Sequence, residues 1–159
     1  MNAVASRNIK FISHCDQGGR GDGVQVMVHR GFAYIGHGFS NGITVVDVRD
    51  PKHPKTVNFL ACPPNTRAHH IQTHGDLLLA VNGPSIWTMQ INEKAYFSGS
   101  SADALKGQDA KYTTGLRVYD LSRPEAPREI AFMPTDGMGP HRIWYVGGRY
   151  AYLDRKSVV

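Results

Sequence analysis

The chain has 159 residues, 41% of them hydrophobic and 19% charged, which suits one domain of ordinary size and leaves no room for two. No apolar run approaches the roughly 20 residues of a membrane-spanning helix. Met1 to Phe11 also lacks the charged start, apolar middle and small-residue cleavage site of a secretory signal, so a cytoplasmic protein with no membrane partner is expected. The formal charge is +5, but the cations are scattered and the only adjacent pair is Arg155-Lys156, which argues against nucleic acid as a partner.

Residues 7–13 read as a lone strand, followed by the glycine-rich run QGGRGDG over 17–23. That run does not lead from a strand into a helix, so it predicts a long loop rather than a phosphate cradle. A repeat then begins. GITVVDVRDPKHPKTVNF over 42–59 aligns without gaps to GLRVYDLSRPEAPREIAF over 115–132, an offset of 73 (42 to 115). VMVHRGFAY over 26–34 aligns to IQTHGDLLL over 71–79 at an offset of 45 (26 to 71), and a looser third copy starts at Ile143. The two offsets differ by 28 residues, which places an insertion at about 83–114.

Each period holds four short runs of Val, Ile, Tyr and Phe between Gly, Pro, Asn or Asp, which predicts four strands, a to d. In the first repeat these are 24–28, 32–35, 43–48 and 55–60, and in the second 70–73, 77–81, 116–121 and 128–132. Strands a and b of a third are expected over 142–146 and 150–153. Asp50-Pro51 and Arg123-Pro124 mark the two c to d turns. Four antiparallel strands per roughly 40 to 45 residues is the period of a propeller blade. The expected fold is therefore all-β: a β-propeller fragment of about two and a half four-stranded blades, at 24–60 and 69–133, with a third begun at 141.

Tyr34, Val45-Val46-Asp47-Val48 with Asp50-Pro51 and Pro54, and Val118-Tyr119-Asp120-Leu121 with Pro124 and Pro127 resemble the LVIVD repeat. The resemblance runs from Phe11 to Leu153 and implies a β-propeller, in a family whose members serve unrelated roles. A closed propeller has about 4 to 8 blades. The expected partner is accordingly the missing remainder of the propeller, and such a fragment alone should self-associate. The last six residues, 154–159, break strand b in mid-run and match the in-frame translation of a common sequencing-library adapter, so this tail is read as non-native read-through.

Antiparallel order puts the d to a and b to c connections on one face. That face collects His14, His37, His69, His70 and His141, and the insertion emerges there as a lid or substrate wall. Residues 85–91 are expected to add a strand and 101–107 a turn or two of helix. His69 and His141 occupy matched positions at the start of innermost strands. With His14 they are the candidate ligands for a divalent metal (Zn, Cu or Fe), while Asp22, Arg67, His70, Arg142 and Trp87 are candidate substrate contacts. Hydrogen bonding of these histidines to backbone between blades accounts for them equally well. Cys15 and Cys62 are expected to be reduced thiols, with soft metal ligation as the alternative. The functional expectation is a propeller that binds a small molecule or metal at its channel mouth, a catabolic metal-dependent enzyme being one form of it; the alternative is a non-catalytic scaffold for protein partners.

Overall fold

Strands form where branched and aromatic residues lie between turn residues. The computed structural model, which describes residues 8–99, 101–105 and 111–154, gathers them into a mostly β, curled antiparallel half-barrel sheet. β1 (Gly23–His29), β2 (Phe32–His37), β3 (Gly42–Asp47) and β4 (Lys55–Ala61) pair in succession. β5 (Thr66–His74), β6 (Leu77–Pro84), β7 (Gly115–Asp120) and β8 (Arg128–Pro134) do the same.

The repeat extends to the pairing register. Gly42 faces Ala61 and Asp47 faces Lys55, just as Gly115 faces Pro134 and Asp120 faces Arg128, and the irregularity at Val45/Val46 recurs at Val118/Tyr119. Two four-stranded units thus arise from two copies of one pattern. They join through a single backbone bridge between His37 and Ala68. Gly36 makes that junction possible, since a Cβ there would lie 2.8 Å from the Ala68 carbonyl oxygen.

Apolar faces close the units on one another. Tyr34, Ile43 and Val45 of the first cover Ala68, Ile71, Leu78 and Ala80 of the second. Tyr34 Oη donates to the Pro124 carbonyl at 2.9 Å, and Asn58 Nδ2 donates to that of Glu125 at 3.2 Å, tying the first unit to the second unit's c to d turn. Leu79, Val81 and Leu116 in turn pack on Ile143 and Tyr145, beside the short ladder of β9 (Ile143–Trp144) and β10 (Tyr152–Leu153).

Two expectations change. Residues 8–13 form no strand, and Arg7 lies outside the described residues. Residues 9–13 join no strand ladder, and left-handed backbone lies on either side of them, at Asn8 and at Gln17, Gly18 and Gly19. Instead the segment follows β4: Ser13 Oγ donates to the Pro51 carbonyl at 2.6 Å, and the Arg20 guanidinium lies 3.8 Å from the Phe59 ring centroid. Residues 85–91 are helical rather than extended. Ser85 caps α1 (Ile86–Gln90) by accepting from Thr88 N at 3.1 Å, and Asn92 caps α2 (Glu93–Ser98) by accepting from Ala95 N at 3.1 Å. α3 (Ser101–Leu105) falls within the expected 101–107; residues 106–110 lie outside the described ones, as do 155–159 of the supposed tail. Among the described residues no helix is long and apolar enough to cross a membrane.

Ile71 is fully buried between the units, whereas the matching face of β1, with Val24, Val26 and Val28, is 50–64% exposed. The apolar face that a preceding unit would cover is bare. The chain is expected to self-associate, giving a light-scattering mass above that of one chain, and Val26→Glu should shift it towards the monomer. Gly36→Ala should lower stability by about 1–3 kcal/mol in denaturant titrations, because the added methyl pushes β5 away from β2.

Candidate metal centre

Neighbouring residues of a regular strand point to opposite faces. His69 and His70 do not, because β5 carries a bulge. Ala68 pairs with Asn82 and Ile71 with Ala80, so the two histidines share the space opposite Val81 alone. Their ring centroids lie 4.5 Å apart. His141 arrives from the loop before β9, 5.4 Å from the His69 ring and 5.1 Å from the His70 ring. Asp154 fixes that loop, its carboxylate accepting from His141 N at 2.8 Å and Arg142 N at 2.5 Å. One nitrogen from each of the three rings lies within 4.8 Å of the others.

The protonation states suit metal binding. Burial pushes His69 down to about 2, and Arg67 and the neighbouring rings add to the effect. Burial, then Arg142, lowers His70 to about 4. Both rings are therefore neutral at physiological pH. The Gln25 carboxamide oxygen accepts from Ile71 N at 3.1 Å, which fixes its orientation, and it stands 3.0 Å from His70 Nδ1. His70 thus donates through Nδ1, and its Nε2 keeps a lone pair. His69 is 5% exposed, and neither of its ring nitrogens has a hydrogen-bond partner. Tetrahedral bonds of about 2.1 Å would set imidazole nitrogens about 3.4 Å apart, so the cluster is wider than that by at most about 1.4 Å.

A cleft of about 180 Å³ opens beside His69 and His141. The insertion supplies Met89 and Tyr96 to its wall, and Met138-Gly139-Pro140 supply the other side. Gly139 has φ +74, and a Cβ there would lie 2.6 Å from the Asn82 carbonyl oxygen, so glycine lets this wall close on β6. Arg67 also lines the cleft, and its Nε is buried without an acceptor.

The remaining expected site residues lie apart from this cluster. His14 is exposed on the irregular segment beside β4 and does not join the three imidazoles, because the strand expected just before it does not form. Asp22 faces the turn after β2, accepting from Phe39 N, Ser40 N and Ser40 Oγ. His37 is fully buried, donating through Nδ1 to Asp22 at 3.0 Å and accepting from Thr44 Oγ1 at 2.8 Å, so its polar atoms are all engaged. Trp87 does not line the cleft; its indole N–H donates to the Phe39 carbonyl and its ring meets Phe39 edge-on, anchoring the insertion to the first unit. Arg142 is exposed at the rim, its NH1 3.5 Å from His70 Nδ1. Burial raises the Cys62 thiol to about 12, and Cys15 lies 3.6 Å from Thr56 Oγ1, so neither cysteine belongs to the cluster. Gln25, Met89, Tyr96 and Gly139 have no sequence signal of their own beyond the alignment of Gln25 with His70.

Comparison with known proteins found no family model that matches the chain and no curated protein significantly similar to it.

Burial opposes ionisation of Asp22, but the hydrogen bonds from Ser40 and Phe39, with His37 nearby, outweigh it and hold the carboxyl down to about 2. A depressed carboxyl stabilises the fold above its ordinary value of 3.8, and the effect is lost as pH falls towards about 2. Asp22→Asn is expected to cost up to about 2 kcal/mol at neutral pH and to flatten that acid limb in denaturation measured against pH.

Proposed function

We propose that this protein is part of an LVIVD-type β-propeller and that its three-imidazole cluster holds one divalent transition metal. The observation that carries the reading is His69: a ring 5% exposed, both nitrogens without partners, with two further imidazoles converging on it. A buried, unsatisfied polar group costs about 1–3 kcal/mol, and a metal ion would satisfy one of the two His69 nitrogens that the protein leaves open. Register-matched units of four antiparallel strands support the propeller reading.

Neutral imidazoles suit Zn, Cu or Fe, and three of them leave a coordination position for a water or substrate. A metal so bound supplies Lewis acidity to a substrate oxygen or an activated water. The chain's own residues do the rest. Gln25 holds the His70 tautomer, and Met89 and Tyr96 of the insertion wall the cleft. The reaction class that fits is a metal-assisted step on a small molecule, in keeping with a catabolic enzyme.

Equilibrium dialysis against Zn²⁺, with metal read by mass spectrometry, tests the assignment. One ion per chain is expected. His69→Ala and His141→Ala should each weaken binding by at least about 100-fold and Gln25→Ala by about 10–100-fold, while His14→Ala leaves it unchanged. Absence of binding by a chain with an intact far-ultraviolet β spectrum, or binding that survives both His69→Ala and His141→Ala, overturns it.

A further inference from the structure

A half-buried guanidinium with an unpaired N–H favours an anion. Arg67 enters on β5, two residues before His69, and its Nε has no acceptor although it is shielded from solvent. Among the described residues no carboxylate pairs with it, and no acidic side chain lines the cleft it shares with His69 and His141. The cleft beyond these polar groups is walled by Met89 and Met138, with the Tyr96 ring beside them. The cleft therefore offers a fork of N–H donors together with methionine and tyrosine side chains.

We infer that the cleft takes a small organic carboxylate, its headgroup received by Arg67 next to the imidazole cluster and its apolar body lying against Met89 and Met138. The inference rests on the metal reading above to the extent that the imidazoles form the reactive wall of the same site. A guanidinium matches a carboxylate through two parallel N–H···O bonds. An inorganic anion would use the fork and leave the apolar walls wet. Size agrees with the chemistry: a cavity of about 150 Å³ holds a benzene ring, and this cleft measures about 180 Å³. A single aromatic or branched aliphatic acid fits. Methionine sulfur also packs favourably on ring edges.

Arg142 is not the receiving group. It is exposed, and the proton on His70 Nδ1 is directed at Gln25. It serves as the built-in control.

Benzoate titrated into the Zn²⁺-loaded chain by calorimetry, with zinc content measured on the same samples, tests the inference. Benzoate should bind, and benzamide and inorganic phosphate should each bind at least about tenfold more weakly. Arg67→Met should weaken benzoate by at least about tenfold with zinc content unchanged, Arg67→Lys should restore part of the loss, and Arg142→Met should stay within about twofold of the parent. Equal benzoate affinity in Arg67→Met and the parent, with zinc retained, overturns the carboxylate assignment alone. Phosphate binding as tightly as benzoate overturns the organic-ligand assignment. A chain that takes up no zinc yet binds benzoate in an Arg67-dependent way overturns the metal reading and leaves this one standing.

Discussion

One additional residue in β5 determines the site. Without it, the two-residue period of a strand would send His69 into the interface between units and His70 to the opposite side, or the reverse. With Ala68 held opposite Asn82 and Ile71 opposite Ala80, the histidines share one gap and their rings lie side by side. The first unit has its irregularity at the matching place, between Gly23 and Gln25, so the bulge belongs to the repeat and the histidines are what the second copy makes of it. Gln25 then acts across the unit boundary: the residue aligned with His70 becomes the acceptor that fixes its tautomer. Shifting β5 by one position would dissolve the imidazole pair and the Gln25 contact together.

The bulge survives because packing on either side fixes its ends. Ile71 is fully buried among side chains of the first unit, and Ala68 is bridged to His37 where Gly36 gives the backbone room. Apolar burial at about 25 cal/mol per Å² over such an interface tolerates a few unsatisfied nitrogens. Stability is concentrated in the repeated interface, while the unsatisfied ring nitrogens of His69 and the Nε of Arg67 lie beside a cleft. Buried polar groups left unpaired next to a cavity are the pattern expected of a functional site.

How much of this could be read from the residues follows from the same physics. The register was legible, because Asp47-Val48 with Pro51 and Asp120-Leu121 with Pro124 fix turns of equal length, and turn length fixes pairing. His69 with His141 was legible by alignment, but His70 as their companion was not, since strand alternation argues against it. The insertion read as a strand at 85–91 because Ile, Trp and Met suggest one, whereas the caps Ser85 and Asn92, which decide the matter, are single polar residues. His14 was misplaced because residues 9–13 before it join no strand ladder, which hydropathy does not reveal. The Gly139 wall depends on contact with Asn82, which is distant in the chain, and no local pattern encodes it.

Charge connects the two halves of the site. The three imidazoles bring no negative charge, and the charged residues nearest them in sequence, Arg142 and Arg67, are both positive. Asp154 reaches the assembly through the backbone N–H groups of His141 and Arg142, from which its carboxylate accepts. A divalent ion added to this set would leave a strongly cationic, partly desolvated pocket, which is unfavourable in a medium of low dielectric constant. An anion from outside removes that penalty, and it does so best where one oxygen pair can meet the guanidinium while facing the ion. On the proposed reading, metal and carboxylate would favour each other's binding in this cleft, and Arg67 and His69, on either side of Ala68, would carry that coupling.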